Sequence, residues 1–239
     1  MTAPRLALLV LSLAGASSAR AAESADAFGG RIPPVSGQLF TKTGRLELTP
    51  TASLSLNDAF FSKYFFGLKA GYHFSDMWSV HGSVAGGFAE ATGSTAVCPG
   101  NQGCHAATQA QLNQVAGDLK TIVGAEMAFS PIYGKLNAFA EQVIHFDLSL
   151  IAGADWIRHR AVISAVEANA GVEPDIRNTL GGHVGIGTRV FFSQSLAIRL
   201  EVKDYLYTVP VQGSSTLQNQ LFTELGLSWF IPSLRGGGR

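Results

Sequence analysis

The sequence predicts an all-β fold, a transmembrane antiparallel up-and-down β-barrel of about eight strands, and three observations carry that expectation. Long stretches alternate between apolar and polar residues, the signature of strands with two unlike faces. Only 14% of the 239 residues are charged although 46% are hydrophobic. The connectors between the alternating stretches are short at one set of ends and mostly long at the other. A water-soluble domain carries about a quarter charged residues, so this chain has too few to coat a wetted surface. Its formal net charge of +0 gives no electrostatic case for nucleic acid.

Residues 1–21 read as an export signal. Arg5 precedes the apolar run Leu6–Leu13, and Ala19-Arg20-Ala21 supplies the small residues of a cleavage site. The run is shorter than the ~18 to 20 apolar residues of a spanning helix. No Cys follows it to take a lipid anchor, and no later apolar stretch reaches spanning length. The expected organisation is a signal peptide over 1–21, a periplasmic leader over 22–43, the barrel over 44–232 and a flexible tail over 233–239.

The first strand lies in Arg45–Asn57, where Leu46, Leu48, Pro50, Ala52, Leu54 and Leu56 are apolar and every odd position is polar. In the second, Tyr64, Phe66, Leu68, Ala70, Tyr72 and Phe74 oppose Lys63, Lys69 and His73. Ser75-Asp76-Met77 turns the chain into the third, where Trp78, Val80, Val84 and Phe88 oppose Ser79, His81, Ser83 and Ala89. After a long insertion, about Glu90 to Asp118, the fourth sets Leu119, Thr121, Val123, Ala125, Met127 and Phe129 against Lys120, Gly124 and Glu126. The connector SPIYGKLNAFAEQV is expected to hold a helical turn. A fifth strand, Ile144–Trp156, is followed by a polar loop to about Asn178. The sixth alternates Leu180, Val184, Ile186, Val190 and Phe192 with His183, Gly185, Gly187 and Arg189. Ser193-Gln194-Ser195 turns into the seventh, with Leu196, Ile198, Leu200, Val202 and Leu206 against Arg199, Glu201 and Lys203. A loop over Gln212–Gln220 leads to the eighth, with Leu221, Leu225, Leu227 and Trp229 against Glu224, Gly226 and Ser228.

Twelve residues at about 3.3 Å each, tilted about 40°, reach close to 30 Å, enough for the ~25 Å apolar band of an outer-membrane barrel. Lipid takes the apolar face and a closed interior takes the polar one. Closure is compulsory because an open strand edge leaves backbone groups unpaired in hydrocarbon. A soluble sandwich or lipocalin-like barrel would reverse the faces, but these polar faces are poor in charge and rich in Gly, Ser and Ala. Tyr64, Phe74, Trp78, Phe88, Phe129, Trp156, Phe192, Tyr207 and Trp229 fall near strand ends, where interfacial girdles form.

Eight strands enclose only enough room for side chains. The inward set holds Arg45, Lys63, Lys69, Lys120, Arg189, Arg199 and Lys203, against Glu47, Glu126, Asp147, Asp155, Glu201 and Glu224, with His145 and His183 among them. Nearly balanced signs predict a salt-bridged plug with negligible conductance, because buried charges persist only when paired. Two runs on one strand face, His145-x-Asp147-x-Ser149 and His81-x-Ser83, carry the residue types of a nucleophilic hydrolase. Same-face neighbours stand about 6 to 7 Å apart and these face the lumen, so a polar network is expected in their place. No catalytic residue, cofactor or metal is expected.

Cys98 and Cys104 bracket Pro-Gly-Asn-Gln-Gly and, in an exported chain, are expected to form a local disulfide. Metal binding by Cys98, Cys104 and His105 is the sharper alternative, but their spacing matches no common zinc knuckle. The glycines of GGHVGIG, with His183 among them and Arg189 following, have no Lys-Ser/Thr as a phosphate loop requires, and the segment alternates as a strand.

NDAFFSKY at the first hairpin, FSDMWSV at the second turn, SPIYGK with HFDLSLIAGA after it, and SQSLAIRLEVKDYLY together resemble an outer-membrane β-barrel domain family of myxobacteria and related deltaproteobacteria. The resemblance spans about Phe40 to Pro232. It implies a non-enzymatic barrel, in some members an outer-membrane part of the envelope-spanning gliding motility machinery. Expected partners are outer-membrane lipid or lipopolysaccharide and other outer-membrane or periplasmic subunits. A small-solute or lipid channel is the alternative, and a lipid-modifying enzyme the third reading.

Overall fold

The computed structural model describes residues 40–231, apart from 93–94, 99, 101–102, 139–141 and 212–213. The expected signal over 1–21, most of the leader over 22–43 and the tail over 233–239 lie outside the described residues. Eight strands form the wall: β1 (Leu46–Ser55), β2 (Phe61–His73), β3 (Trp78–Ala91), β6 (Leu119–Ala138), β7 (Gln142–Arg160), β8 (Ile176–Phe191), β9 (Leu196–Val211) and β10 (Ser214–Ile231). Each pairs antiparallel with its neighbours in the order β1-β10-β9-β8-β7-β6-β3-β2, and β1 pairs with β10 from Leu46↔Ile231 to Ser55↔Phe222. The sheet is therefore a closed barrel with no free edge around its waist.

Parity sorts the side chains as the alternation requires. Leu48, Leu68, Val84, Met127, Leu150, Ile186, Leu200 and Leu225 all point outward and are exposed, whereas Lys63, Lys69, Arg189, Arg199 and Lys203 are buried inside. Phe66 is 62% exposed while Lys69, three residues away, is 1% exposed. A chain folded in water buries the first and wets the second. A continuous apolar belt around a charged interior is the arrangement of a barrel embedded in lipid.

Both ends of the barrel chain, Leu46 and Ile231, lie at one rim, called here the turn end. Two of its connections are tight. The Ser75 hydroxyl accepts from the N–H of Met77 and Trp78 at 3.2 and 3.0 Å. Phe192 N–H donates to Leu196 O at 3.0 Å to close the other. The third connection differs from expectation. Among its described residues SPIYGKLNAFAEQV holds no helical turn: it continues β6 and β7 as strands paired from Ile132↔Leu148 to Ala138↔Gln142. Pro131 lacks an N–H, so the register slips between Phe129 and Ile132 and the pairing resumes beyond the slip. The fifth predicted strand is accordingly longer than Ile144–Trp156.

The opposite rim, the loop end, carries the long connectors. Residues 92–118 hold a small hairpin of β4 (Ala96–Val97) and β5 (His105–Ala106), and then α1 (Gln109–Leu112). Cys98 and Cys104 are bonded to each other beside that hairpin. Residues 161–175 hold α2 (Ala165–Asn169), which starts at an Ser164–Glu167 capping box. The expected loop over Gln212–Gln220 is mostly strand, since β10 pairs with β9 from Ser214↔Val211 onward. Ser, Thr, Asn and Gln fill that stretch because it stands beyond the apolar belt, and their polarity imitates a loop.

Candidate functional site: the closed lumen

Register decides which charges meet. Glu47, Gly71, His81 and Glu126 form one cross-strand row over β1, β2, β3 and β6, and Glu126, Gly153, His183 and Tyr205 continue it over β6 to β9. The two glycines have a steric reason. A Cβ on Gly71 would overlap the His81 ring, and one on Gly153 the His183 ring. Each histidine ring thus lies over the glycine of the neighbouring strand; His183 reaches Glu126 of its row at 3.2 Å, whereas His81 meets Ser79 at 2.9 Å.

At the centre, two lysines share three glutamates. Lys69 Nζ lies 2.9, 2.7 and 2.8 Å from carboxylate oxygens of Glu126, Glu201 and Glu224. Lys203 Nζ lies 2.8, 2.8 and 3.4 Å from the same three residues. Arg199 completes a balanced set of three cations and three anions: it ion-pairs with Glu201 and approaches Glu126 and Glu47 at 3.3 and 3.2 Å. His183 bridges Asp155 at 2.6 Å and Glu126 at 3.2 Å. Removing one partner from such a cage leaves an uncompensated buried charge, the costly case for ion pairs out of water.

Below it, toward the turn end, Glu47 is a second node. Its carboxylate lies 2.7 Å from His73 Nε2 and accepts from the Ser228 hydroxyl at 2.6 Å, with Arg189 Nη1 at 3.7 Å. Arg189 also faces Asp147 at 3.5 Å, and Asp147 pairs with Lys42, which enters from the chain segment ahead of β1. Phe40, two residues earlier, stacks on Phe191 with ring centroids 5.3 Å apart and meets His145 at 5.0 Å. Phe191, Ala197 and Phe230, with Phe40 and Tyr133 against them, form an apolar layer across the turn end. A larger one crosses the loop end: Phe65, Leu119, Ile122, Ile157, Tyr205, Tyr207, Val209 and Phe222. The lumen is thus filled in three tiers, apolar, ionic and apolar.

Several expected positions need correction. Arg45 does not join the ionic tier: its Nη1 donates to Gln194 O at 2.6 Å on the turn-end rim, because it precedes β1 and its long side chain snorkels outward. Lys120 sits at the loop-end mouth, 2.8 Å from Asp118, because the register slips between Leu119 and Thr121. The same slip turns Leu119 inward, although its position in the alternation had placed it on the lipid face. His145 points inward but into the turn-end aromatic layer, where its Nδ1 meets the Tyr133 hydroxyl at 2.9 Å. Tyr207, expected in an interfacial girdle, is 1% exposed inside the barrel.

Glu47, Glu126, Asp147, Asp155, Lys69, His183, Arg189, Arg199, Glu201, Lys203 and Glu224 all line the lumen. Sequence reasoning missed Phe40 and Lys42, which lie in a segment without alternation, and Asp58, which leaves the loop end to pair with Lys63. The hydrolase arrangements do not assemble. His145 meets Tyr133, Asp147 meets Lys42 and Arg189, and Ser149 donates to Gly187 O at 3.3 Å. His81 meets Ser79 at 2.9 Å, on the side away from Ser83.

Among the described residues, one group has the spacing to hold a metal ion: Glu47, His73 and His81 offer ligand atoms within 4.8 Å of one another. Arg189 and Arg199 face the same carboxylate, and their positive charge opposes a cation there. The group is better described as part of the hydrogen-bonded network.

No protein-family model and no curated protein matches this chain. Among solved structures, the N-terminal β-barrel domain of OprF from Pseudomonas aeruginosa is similar, at 8% identity and a TM-score of 0.48, over 79% of this chain and 98% of that one. Neisserial surface protein A is similar at 9% identity and 0.40, over 78% and 95%. The outer membrane protein OprG of Pseudomonas aeruginosa is similar at 11% identity and 0.40, over 80% and 98%. The likeness is architectural, and no role is carried over from it.

Proposed function

We propose that this chain is a non-enzymatic outer-membrane β-barrel that anchors and scaffolds an envelope-spanning complex. The gliding motility machinery is the assembly to which the sequence resemblance points. One observation carries the reading: a lumen closed by two apolar layers around a paired ionic tier leaves no path for a solute. What such a barrel can offer is its wall and its two ends. The apolar wall meets outer-membrane lipid and lipopolysaccharide. By the usual disposition of short turns inside and long loops outside, the turn end faces the periplasm and the loop end the exterior. The β6–β7 hairpin beyond Phe129 is the natural periplasmic contact, because its β6 edge runs past the last partner on β3, Trp78.

Affinity purification of the full chain from outer membranes in a gentle detergent tests the scaffold role. Stoichiometric recovery of other outer-membrane or periplasmic subunits is expected, and recovery of the barrel alone would count against it. Planar bilayers test the closed lumen separately. Negligible conductance is expected, whereas large, stable single-channel steps from pure protein would favour a small-solute or lipid channel. Replacing Ser149 and Ser83 by Ala is expected to leave lipid profiles unchanged.

A further inference from the structure

Above the loop-end layer, the two long connectors enclose a cleft of about 650 Å³, within the usual size range of small-molecule sites. Its lining is apolar at Phe61, Leu112, Val172 and Pro174 and cationic at Lys120 and Arg160. Main-chain bonds preform it. Arg160 N–H donates to Asp118 O at 2.9 Å, Ala161 N–H to Asp175 O at 2.8 Å and Ile163 N–H to Asn113 O at 3.2 Å. The first ties the 92–118 connector to the end of β7, the second closes the base of the 161–175 connector, and the third joins the two connectors to each other.

The two cations share one acid. Lys120 Nζ lies 2.8 Å from Asp118 Oδ1, and Arg160 Nε lies 3.4 Å from Asp118 Oδ2. That Nε is buried and has no hydrogen-bond acceptor among the described residues. A single carboxylate has too few lone pairs in reach for an ammonium with three donors and a guanidinium with five. The Lys120 and Arg160 side chains are 29% and 33% exposed, so donors that Asp118 does not hold are accessible in a cleft that is otherwise lined mostly by apolar residues. Glu173 also lines the cleft, and its carboxylate repels a second anionic group on the ligand. We propose that the cleft binds a small amphipathic anion, with its phosphate or carboxylate on Lys120 and Arg160 and an apolar body against Phe61, Leu112, Val172 and Pro174.

The proposal stands apart from the scaffold reading and is tested without partners. The mature barrel, in nanodiscs of zwitterionic lipid, is titrated calorimetrically with 1-naphthyl phosphate and, separately, with inorganic phosphate. Saturable binding of the naphthyl compound is expected, at least about tenfold tighter than inorganic phosphate, since the latter lacks the apolar body. The double variant Lys120→Gln/Arg160→Gln is expected to weaken it by about tenfold or more, the loss of charged hydrogen bonds. Because those residues also brace Asp118, Val172→Asp is a second probe. Val172 is half exposed, so its change leaves the barrel intact while placing a like charge in the apolar lining. Absence of saturable binding, equal affinity for inorganic phosphate, or binding undiminished in both variants overturns the proposal.

Discussion

The middle and the loop end of the same lumen are built on opposite rules. In the middle, Lys69, Lys203, Glu126 and Glu201 point inward, and the wall outside them is Leu68, Met127, Leu200 and Val202. At the loop end, Leu119, Ile157 and Val209 point inward while Arg158 and Thr208 are exposed outside. Apart from the bulge at Lys120 that turns Leu119 inward, the strands keep their alternation through both regions, and the solvent changes. Where hydrocarbon surrounds the wall, apolar residues are free to stand outside and charges must pair within. Where the strands rise into water, the hydrophobic effect again favours an apolar interior. The barrel is a membrane protein at its waist and resembles a water-soluble one at its loop end.

The largest expected effect would break that contrast at the ionic tier. Glu126→Ala leaves Lys69, Lys203, Arg199 and His183 short of one shared partner. A loss of about 3 to 5 kcal/mol is expected in urea unfolding from lipid vesicles, as for other broken buried pairs. A loss below about 1 kcal/mol would mean that water fills the tier and screens it as at a surface. Next comes the apolar tier. Leu119→Ala is expected to cost about 2 to 5 kcal/mol, because a cavity in a packed interior stays partly empty. Leu150→Ala, on the lipid wall, is expected to cost well under half as much, since acyl chains are as apolar as Leu and move in to fill the gap. Equal costs for the two would erase the distinction between packed lumen and solvated wall.

How much of this could be read beforehand follows from the same physics. Lys69, Glu126, Arg199, Glu201 and Lys203 stand out in the chain because each interrupts an apolar alternation, and strand parity alone sends them inward. Leu119, Tyr207 and Val209 carry no such mark. They are apolar residues near strand ends, and a sequence does not print the height at which lipid gives way to water. The bulges at Lys120 and after Phe129 defeat parity directly, since one extra residue exchanges the two faces. Lys42 lies before the first strand, so its place beside Asp147 follows from tertiary packing that no local pattern records.

A smaller effect sharpens the comparison at the turn end. Lys42→Met removes one of the cations facing Asp147 but leaves Arg189 3.5 Å away. About 1 to 3 kcal/mol of stability is expected to be lost, the range for a charge-assisted bond. Conductance in planar bilayers is expected to stay negligible, because the loop-end layer is a separate seal. Stable channel steps in this variant would make the turn-end segment the sole closure.

The smallest expected effect lies outside the barrel wall, in α2. The Ser164 N–H and hydroxyl both donate to Glu167 Oε2, at 2.9 and 2.8 Å, and the Glu167 N–H returns to the Ser164 hydroxyl at 3.3 Å. Those bonds hold the Glu167 carboxyl below its ordinary value of 4.5. A carboxyl depressed in the folded state stabilises the cap above the ordinary value, and that contribution disappears as the pH falls through it toward the folded value. Backbone carbon shifts across Ala165–Asn169 are therefore expected to lose helical character on acidification from about pH 6 to about pH 3, where carboxylates titrate. Ser164→Ala is expected to show the weaker helix already at neutral pH and little further change on acidification. The loop end is the part of the molecule that behaves as if in water, so ordinary capping chemistry governs it; a pH response of the same size in both proteins would place the sensitivity elsewhere.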